Sequence, residues 1–338
     1  MNAGGGNGRK KLPPWLIPAA GYAVSIACLI WVYHGFDWRR EIPRLRHTDW
    51  RWVTVAVMGD LAVYFTQGVR WSVLLKPVGE LPVLRGVQAI YIGLFANEVL
   101  PLRPGELIRC FLVSRWASLP ISVAVSSAVV ERFLDGVWLV IGFYAAAQFV
   151  RLPVALVIGS QILIIVLACV AALLVVAILE KKKAEHIVSR SRWAEGLKHL
   201  VQGIYGMGTS PAFLVAAVVS LAYLGLQVVP IYALMQGFGI HLSVGAAAVV
   251  LVILRLGSIP PQAPGNVGAF QALTVLALHL FGVEKSLATG FATLLFFVVT
   301  VPLWLGGFIA LLATRMRLDQ IHREAHGVAG PVETSSVK

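Results

Sequence analysis

Charged side chains inside apolar sequence are where chemistry can occur, and here they form two tight groups. Glu98, Arg103, Glu106 and Arg109 surround the phrase Pro101-Leu102-Arg103-Pro104-Gly105, and Glu131, Arg132 and Asp135 follow in the next apolar run. A charge at the centre of a membrane helix costs about 2.5–3.5 kcal/mol on insertion scales, so its retention marks an ion pair, a polar chamber or a substrate path. Arginine forks suit phosphate. A helix opening at Gly105 adds free N–H groups and a positive dipole end that favour the same anion. Arg103, Arg109 and Gly105 are therefore read as a phosphate site. Glu106, in the first turn, meets the dipole or pairs an arginine. Glu131, Arg132 and Asp135 are read as gating or proton-coupling groups, Glu131 and Asp135 sharing a helix face. A structural reading stands beside this one, in which both groups are ion pairs that lock the bundle.

The phrase recurs. Pro261-Gln262-Ala263-Pro264-Gly265 repeats the P-x-x-P-G pattern 160 residues on, from 101 to 261. Such a phrase ends a helix, because proline lacks the N–H donor and clashes with the preceding turn. Broken helices at bilayer depth are tolerated where they pack in protein or line a cavity. A matched pair in two halves of a chain points to a transport site. Gly265 and Gly268 permit close backbone approach where the second half-helix opens. Asn97, Gln262 and Asn266 are read as contacts for polar headgroup atoms. The second copy carries Ala263, Asn266 and Ala269 where the first carries Arg103, Glu106 and Arg109, which places the anion on the first copy.

The remaining sequence must position these groups. At 58% hydrophobic and 13% charged residues the chain is no ordinary soluble domain. Full spans are expected at about 15–35, 52–75, 120–149, 153–179, 211–236 and 286–313, each able to cross about 30 Å at 1.5 Å per residue. Two further segments, about 86–116 and 243–280, each read as helix, break, helix with arms too short to cross. Basic clusters at Arg9-Lys10-Lys11, at Lys181-Lys182-Lys183 with Arg190, Arg192 and Lys198, and at Arg315, Arg317 and Arg323 all fall on the cytoplasmic side only if both segments return to the side they entered. The expected fold is an all-α polytopic membrane protein with about six full spans plus two re-entrant helical hairpins in an inverted repeat. The membrane domain covers 15–315, with a cytoplasmic leader 1–14, a cytoplasmic amphipathic loop 180–210 and a cytoplasmic tail 316–338. Arg39, Arg40, Arg44, Arg46 and Arg51 lie on the outer side in this topology and run against the charge rule. Asp60 and Arg70 are expected to snorkel from span ends.

The net charge of +12 is read as lipid contact and topology signal; with no soluble domain to present a basic face, nucleic acid is excluded as a partner. Cys28, Cys110 and Cys169 have no metal-ligand spacing, and no H-E-x-x-H, G-x-S-x-G or P-loop occurs. No metal, cofactor or catalytic residue is assigned.

The run from Gly93 to Arg109, with Val130-Glu131-Arg132-Phe133-Leu134-Asp135 and the run from Ile259 to Phe270, resembles the three sequence blocks of the lysylphosphatidylglycerol synthase transmembrane-region family. The resemblance covers roughly residues 15–315. It implies a flippase-like multi-pass protein of the inner (plasma) membrane and leaves the substrate open; the arginines at the first break make the expected cargo an anionic phospholipid or lipid-linked phosphate moved between leaflets, and the basic clusters place both termini in the cytoplasm. By motif match Asn97, Arg103, Glu106, Arg109, Glu131, Arg132, Asp135, Pro264, Gly265 and Asn266 carry over. The chain ends soon after the last span, so a stand-alone member without the aminoacyl-transfer domain is expected. The implied partners are the lipid substrate, the bilayer, and a homo-oligomer or lipid-synthesis enzymes. A membrane enzyme with Glu131 or Asp135 as base, or an accessory subunit, is the alternative.

Overall fold

The computed structural model describes residues 16–100, 103–148, 154–179, 192–258 and 263–314. The leader 1–14, residues 180–191 of the basic loop, Gln262 and the tail 316–338 lie outside the described residues. Twelve α-helices and no strand occur among those described: α1 Leu16–Tyr33, α2 Trp38–Arg46, α3 Trp50–Leu75, α4 Val83–Val99, α5 Gly105–Trp116, α6 Ile121–Ala147, α7 Val154–Leu179, α8 Arg192–Gly208, α9 Pro211–Gly237, α10 Val244–Gly257, α11 Ala269–His279 and α12 Lys285–Thr314. Trp50–Leu75, Pro211–Gly237 and Lys285–Thr314 are long and apolar enough to cross a membrane. The sequence reading left α2 unassigned. This short amphipathic helix buries Glu41, which accepts from Ser286 at the start of α12.

Helix starts repeat along the chain. They trail by 161 residues for α3 and α4 (50 to 211, 83 to 244) and by 164 for α5 and α6 (105 to 269, 121 to 285). Packing repeats with them. α4 lies against α3, α5 and α12, and its counterpart α10 lies against α9, α11 and α6. The central pair, α3 and α9, packs most extensively and runs antiparallel. The Asp49 N–H donates to the Gly237 carbonyl at one end, the Trp52 and Tyr232 rings meet edge to face, and Arg70 reaches the Ser220 hydroxyl at 3.3 Å towards the other.

Each hairpin has its own apolar core, and the two cores sit towards opposite ends of α3. One gathers Trp71, Leu74 and Leu75 with Ile90, Ile92, Ile108 and Leu112. The other gathers Val53 and Ala56 with Val250, Ile253, Val275 and Phe291. α1 packs on α11, while α7 and α8 lie between the two halves in sequence and pack on α6.

The hairpin arms are short. At 1.5 Å per residue, α4 and α5 reach about 26 and 18 Å, α10 and α11 about 21 and 17 Å, all less than the ~30 Å hydrocarbon core. Glycine lets the first pair of arms touch: a Cβ on Gly105 would stand 1.8 Å from the Gly93 carbonyl oxygen. Gly105→Ala must therefore part the hairpin, at about 1–3 kcal/mol for an overpacked contact. Gly225→Ala on α9, where a Cβ meets nothing within 4 Å, should be neutral or slightly stabilising. Thermal unfolding of the two variants in detergent compares them directly, and equal melting points would show that the arms do not depend on this approach.

Candidate functional site

Three arginines and three carboxylates from α3, α5 and α6 close into one ring. Arg70 pairs with Glu131 and with Asp135; Glu131 takes Arg109 at 2.9 Å; Arg109 takes Glu106 at 2.6 Å; Glu106 takes Arg132 at 3.0 Å; Arg132 returns to Asp135 at 3.2 Å. The charges alternate around it and the group is neutral. Arg70 and Glu131 are fully buried and Arg109 nearly so, whereas Arg132 and Glu106 are about half exposed. Burial is offset by further partners. The Gln67 amide donates to Glu131 at 3.0 Å, the Arg70 guanidinium lies over the Tyr223 ring, and that of Arg109 lies over Trp71. The Trp71 indole N–H is itself held by Ser127 at 2.8 Å.

The hairpin tips meet beside this ring. Arg103, at φ 53°, donates to the Asn266 side-chain oxygen, and the carboxylate of Glu98 lies against Gly265. The Asn97 side chain accepts from the Gly105 N–H at 2.8 Å, so α4 caps α5 and that N–H is engaged within the protein. The second tip is built differently. Gly265, Asn266 and Gly268 all have positive φ, Pro264–Asn266 forms a single 3-10 turn, and the helix resumes only at Ala269. The second half-helix thus opens later than the glycines predict, because left-handed residues cannot continue a right-handed helix. The Gln271 side chain accepts the Gly268 N–H at 2.7 Å.

Two cavities adjoin the tips. One, of about 480 Å³, is lined by Asn97, Arg103, Glu106, Arg132 and Asp135 together with Trp138, Ser220, Tyr223, Gln227 and Arg255. The other, of about 320 Å³, is lined by Asp60, Tyr64, Gln67, Glu98 and Asn266 with many apolar side chains. Glu106, Arg132, Tyr223, Gln227, Arg255 and Ser258 border both. The volumes are in the range of small-ligand sites.

The family profile of the lysylphosphatidylglycerol synthase transmembrane region matches residues 19–314. The chain belongs to this family. It is also similar to two proteins named UPF0104 membrane protein. One, from Methanothermobacter thermautotrophicus, is 22% identical over 291 residues, or 80% of this chain and 86% of the relative. The other, from Methanocaldococcus jannaschii, is 23% identical over 314 residues, or 86% and 92%. No solved structure matches. The apolar helices and the family together make this an integral membrane protein.

In this member of the lysylphosphatidylglycerol synthase transmembrane-region family, the sequence-predicted residues separate into two sets. Asn97, Arg103, Glu106, Arg132 and Asp135 line the larger cavity, and Asn266 lines the smaller. Arg109, Glu131 and Gly105 stand behind it, buried, and line neither. Gly265 is buried at the second tip. Arg70 and Asp60 do not snorkel: they are 0% and 6% exposed, Arg70 held by Glu131 and Asp135 on α6 and Asp60 bonded to Tyr64 one turn on along α3. Gln67, Tyr223 and Gln227 escaped the sequence reading, since polar groups spaced within apolar spans carry no motif. Arg255 was legible only as a charge before the second break.

The ring makes a stability prediction. Glu131→Gln leaves two buried guanidinium groups short of charge and should cost about 3–5 kcal/mol. Arg132→Gln, at the half-exposed edge, should cost about 0–1 kcal/mol. Denaturant unfolding in detergent micelles measures both, and a loss for Arg132→Gln as large as that for Glu131→Gln would contradict the division into a locked and an open edge.

Proposed function

We propose that the protein is a flippase-like transporter that carries an anionic phospholipid or lipid-linked phosphate between leaflets. The observation that carries this reading is the meeting of the two hairpin tips beside a cavity lined by Arg103, Arg132 and Arg255. The phosphate sits against these arginines, whose planar forks match its oxygens. Arg109 acts from behind, holding Glu106 and Glu131 in place, and does not itself receive the phosphate. Asn97 and Asn266 position the tips. Acyl chains remain in lipid while the headgroup occupies the cavity.

The repeated packing and the antiparallel α3–α9 pair support an inverted repeat, with the two hairpins re-entering from opposite faces. Movement of one half against the other about this pair would expose the cavity to each leaflet in turn. No ATP site is required; substrate movement is downhill or coupled to an ion. The basic clusters at Arg9-Lys10-Lys11 and at Arg315, Arg317 and Arg323 support a cytoplasmic placement of both termini.

Two measurements test the proposal. In proteoliposomes, a headgroup-labelled anionic lipid should exchange between leaflets, and Arg103→Ala or Arg132→Ala should slow it about tenfold or more, the loss of one charge-assisted phosphate contact of 1.5–3 kcal/mol. Absence of exchange for phosphatidylglycerol, phosphatidylserine and polyprenyl phosphate alike would overturn it. For topology, single cysteines placed at Glu80 and Ser118 should react with an impermeant maleimide from the same side, and cysteines at His241 and Gly282 from the opposite one. Labelling of Glu80 and Ser118 positions from opposite sides would make the first hairpin a crossing segment.

A further inference from the structure

The charges around the two cavities do not describe a site for an anion alone. The six-membered ring is neutral, and outside it the described lining residues add two arginines, Arg103 and Arg255, and two carboxylates, Asp60 and Glu98. The carboxylates are confined to the smaller cavity. Asp60 is 6% exposed on the central helix α3. It interacts with the Tyr64 hydroxyl, and its Oδ2 has no hydrogen-bond partner. Arg255 acts on it electrostatically, and its Nη2 donates to the Gln227 side-chain oxygen. Glu98, near Arg103 and the Trp304 indole, likewise leaves Oε2 without a partner. The smaller cavity mixes apolar side chains such as Leu94, Ile231 and Leu251 with Arg132 and Arg255 on the border it shares with the larger one, and two buried carboxylate oxygens without donors are costly groups to retain there.

We infer that the smaller cavity is a cation site anchored by Asp60 and assisted by Glu98, taking one compact monovalent positive charge while the arginines of the larger cavity hold the anion. This rests on the anion reading above. The positive end then meets Asp60 and Glu98 and the negative end Arg103, while the shared border at Arg132, Arg255, Tyr223 and Gln227 lets one ligand reach both. The positive charge is supplied either by an ammonium group on the same headgroup or by an inorganic cation bound with an anionic one. A purely anionic headgroup binding alone would leave Asp60 and Glu98 facing more negative charge.

Binding of acyl-labelled lipids to the detergent-purified full chain separates these outcomes. Phosphatidylethanolamine, which carries an ammonium, is compared with phosphatidylglycerol, which does not, each in sodium buffer and in bulky N-methylglucamine buffer. If the ammonium fills the site, wild-type protein binds phosphatidylethanolamine about tenfold more tightly in N-methylglucamine, and Asp60→Asn abolishes the preference while phosphatidylglycerol affinity persists. If an inorganic cation fills it, sodium tightens phosphatidylglycerol binding about tenfold, and Asp60→Asn abolishes that dependence. Asp60→Glu, which keeps the charge, should retain the effect, and Glu98→Gln should weaken it and serves if Asp60→Asn does not fold. Wild-type indifference to both ammonium and sodium, or an unchanged preference in Asp60→Asn, overturns the cation site and leaves the anion site standing. Intact binding of both lipids after Arg103→Gln with Arg132→Gln overturns the anion reading instead, and no saturable binding by the wild type overturns both.

Discussion

The neutral ring of Arg70, Glu131, Arg109, Glu106, Arg132 and Asp135 is the constraint on which the rest depends. It ties α3 to both the first hairpin and α6, and on its buried side, at Arg70, Glu131 and Arg109, an unpaired charge would be costly. Every member has two opposite charges within reach, so no single rearrangement frees one without leaving another exposed to low dielectric. The buried side, Arg70 with Glu131 and Arg109, is further pinned by Gln67, Tyr223 and Trp71. The open side, Glu106 and Arg132, borders both cavities. One network therefore both fixes the hairpin and presents charge to a ligand.

Backbone breaks supply the other half of the arrangement. α4 ends at Val99 and α10 at Gly257, and the tips approach each other closely enough for Arg103 to bond Asn266. The tips are equivalent in sequence position yet unlike in conformation. Asn97 caps the first directly into α5, whereas three positive-φ residues delay the second until Ala269. A symmetric scaffold thus carries an asymmetric lining, with Arg103 on one side, Asp60 and Glu98 on the other, and Arg132 and Arg255 on the border between them.

Sequence alone determined the long apolar helices and where the two interrupted segments break, but not the short helix α2 or the late start of α11. Apolar run lengths are set by the thickness of hydrocarbon, and proline geometry is local, so spans such as 211–236 and the two interrupted segments were legible to within a few residues of Pro211–Gly237, of Val83–Val99 with Gly105–Trp116, and of Val244–Gly257 with Ala269–His279. The charged groups were also legible as a set, because charges in apolar sequence are conspicuous. What only the tertiary structure decided is which of them face one another. Arg70 looked like a snorkelling residue near a span end and is instead fully buried in the ring together with Glu131, since its environment is made by α6 and α9, with partners 61 and 150 residues away. Arg109 looked like a phosphate ligand and is enclosed by Glu131 and Glu106. Asp60 acquires its meaning from a cavity formed by both halves of the chain. Partner choice among buried charges is a long-range electrostatic and packing question, and spacing along one helix carries no information about it.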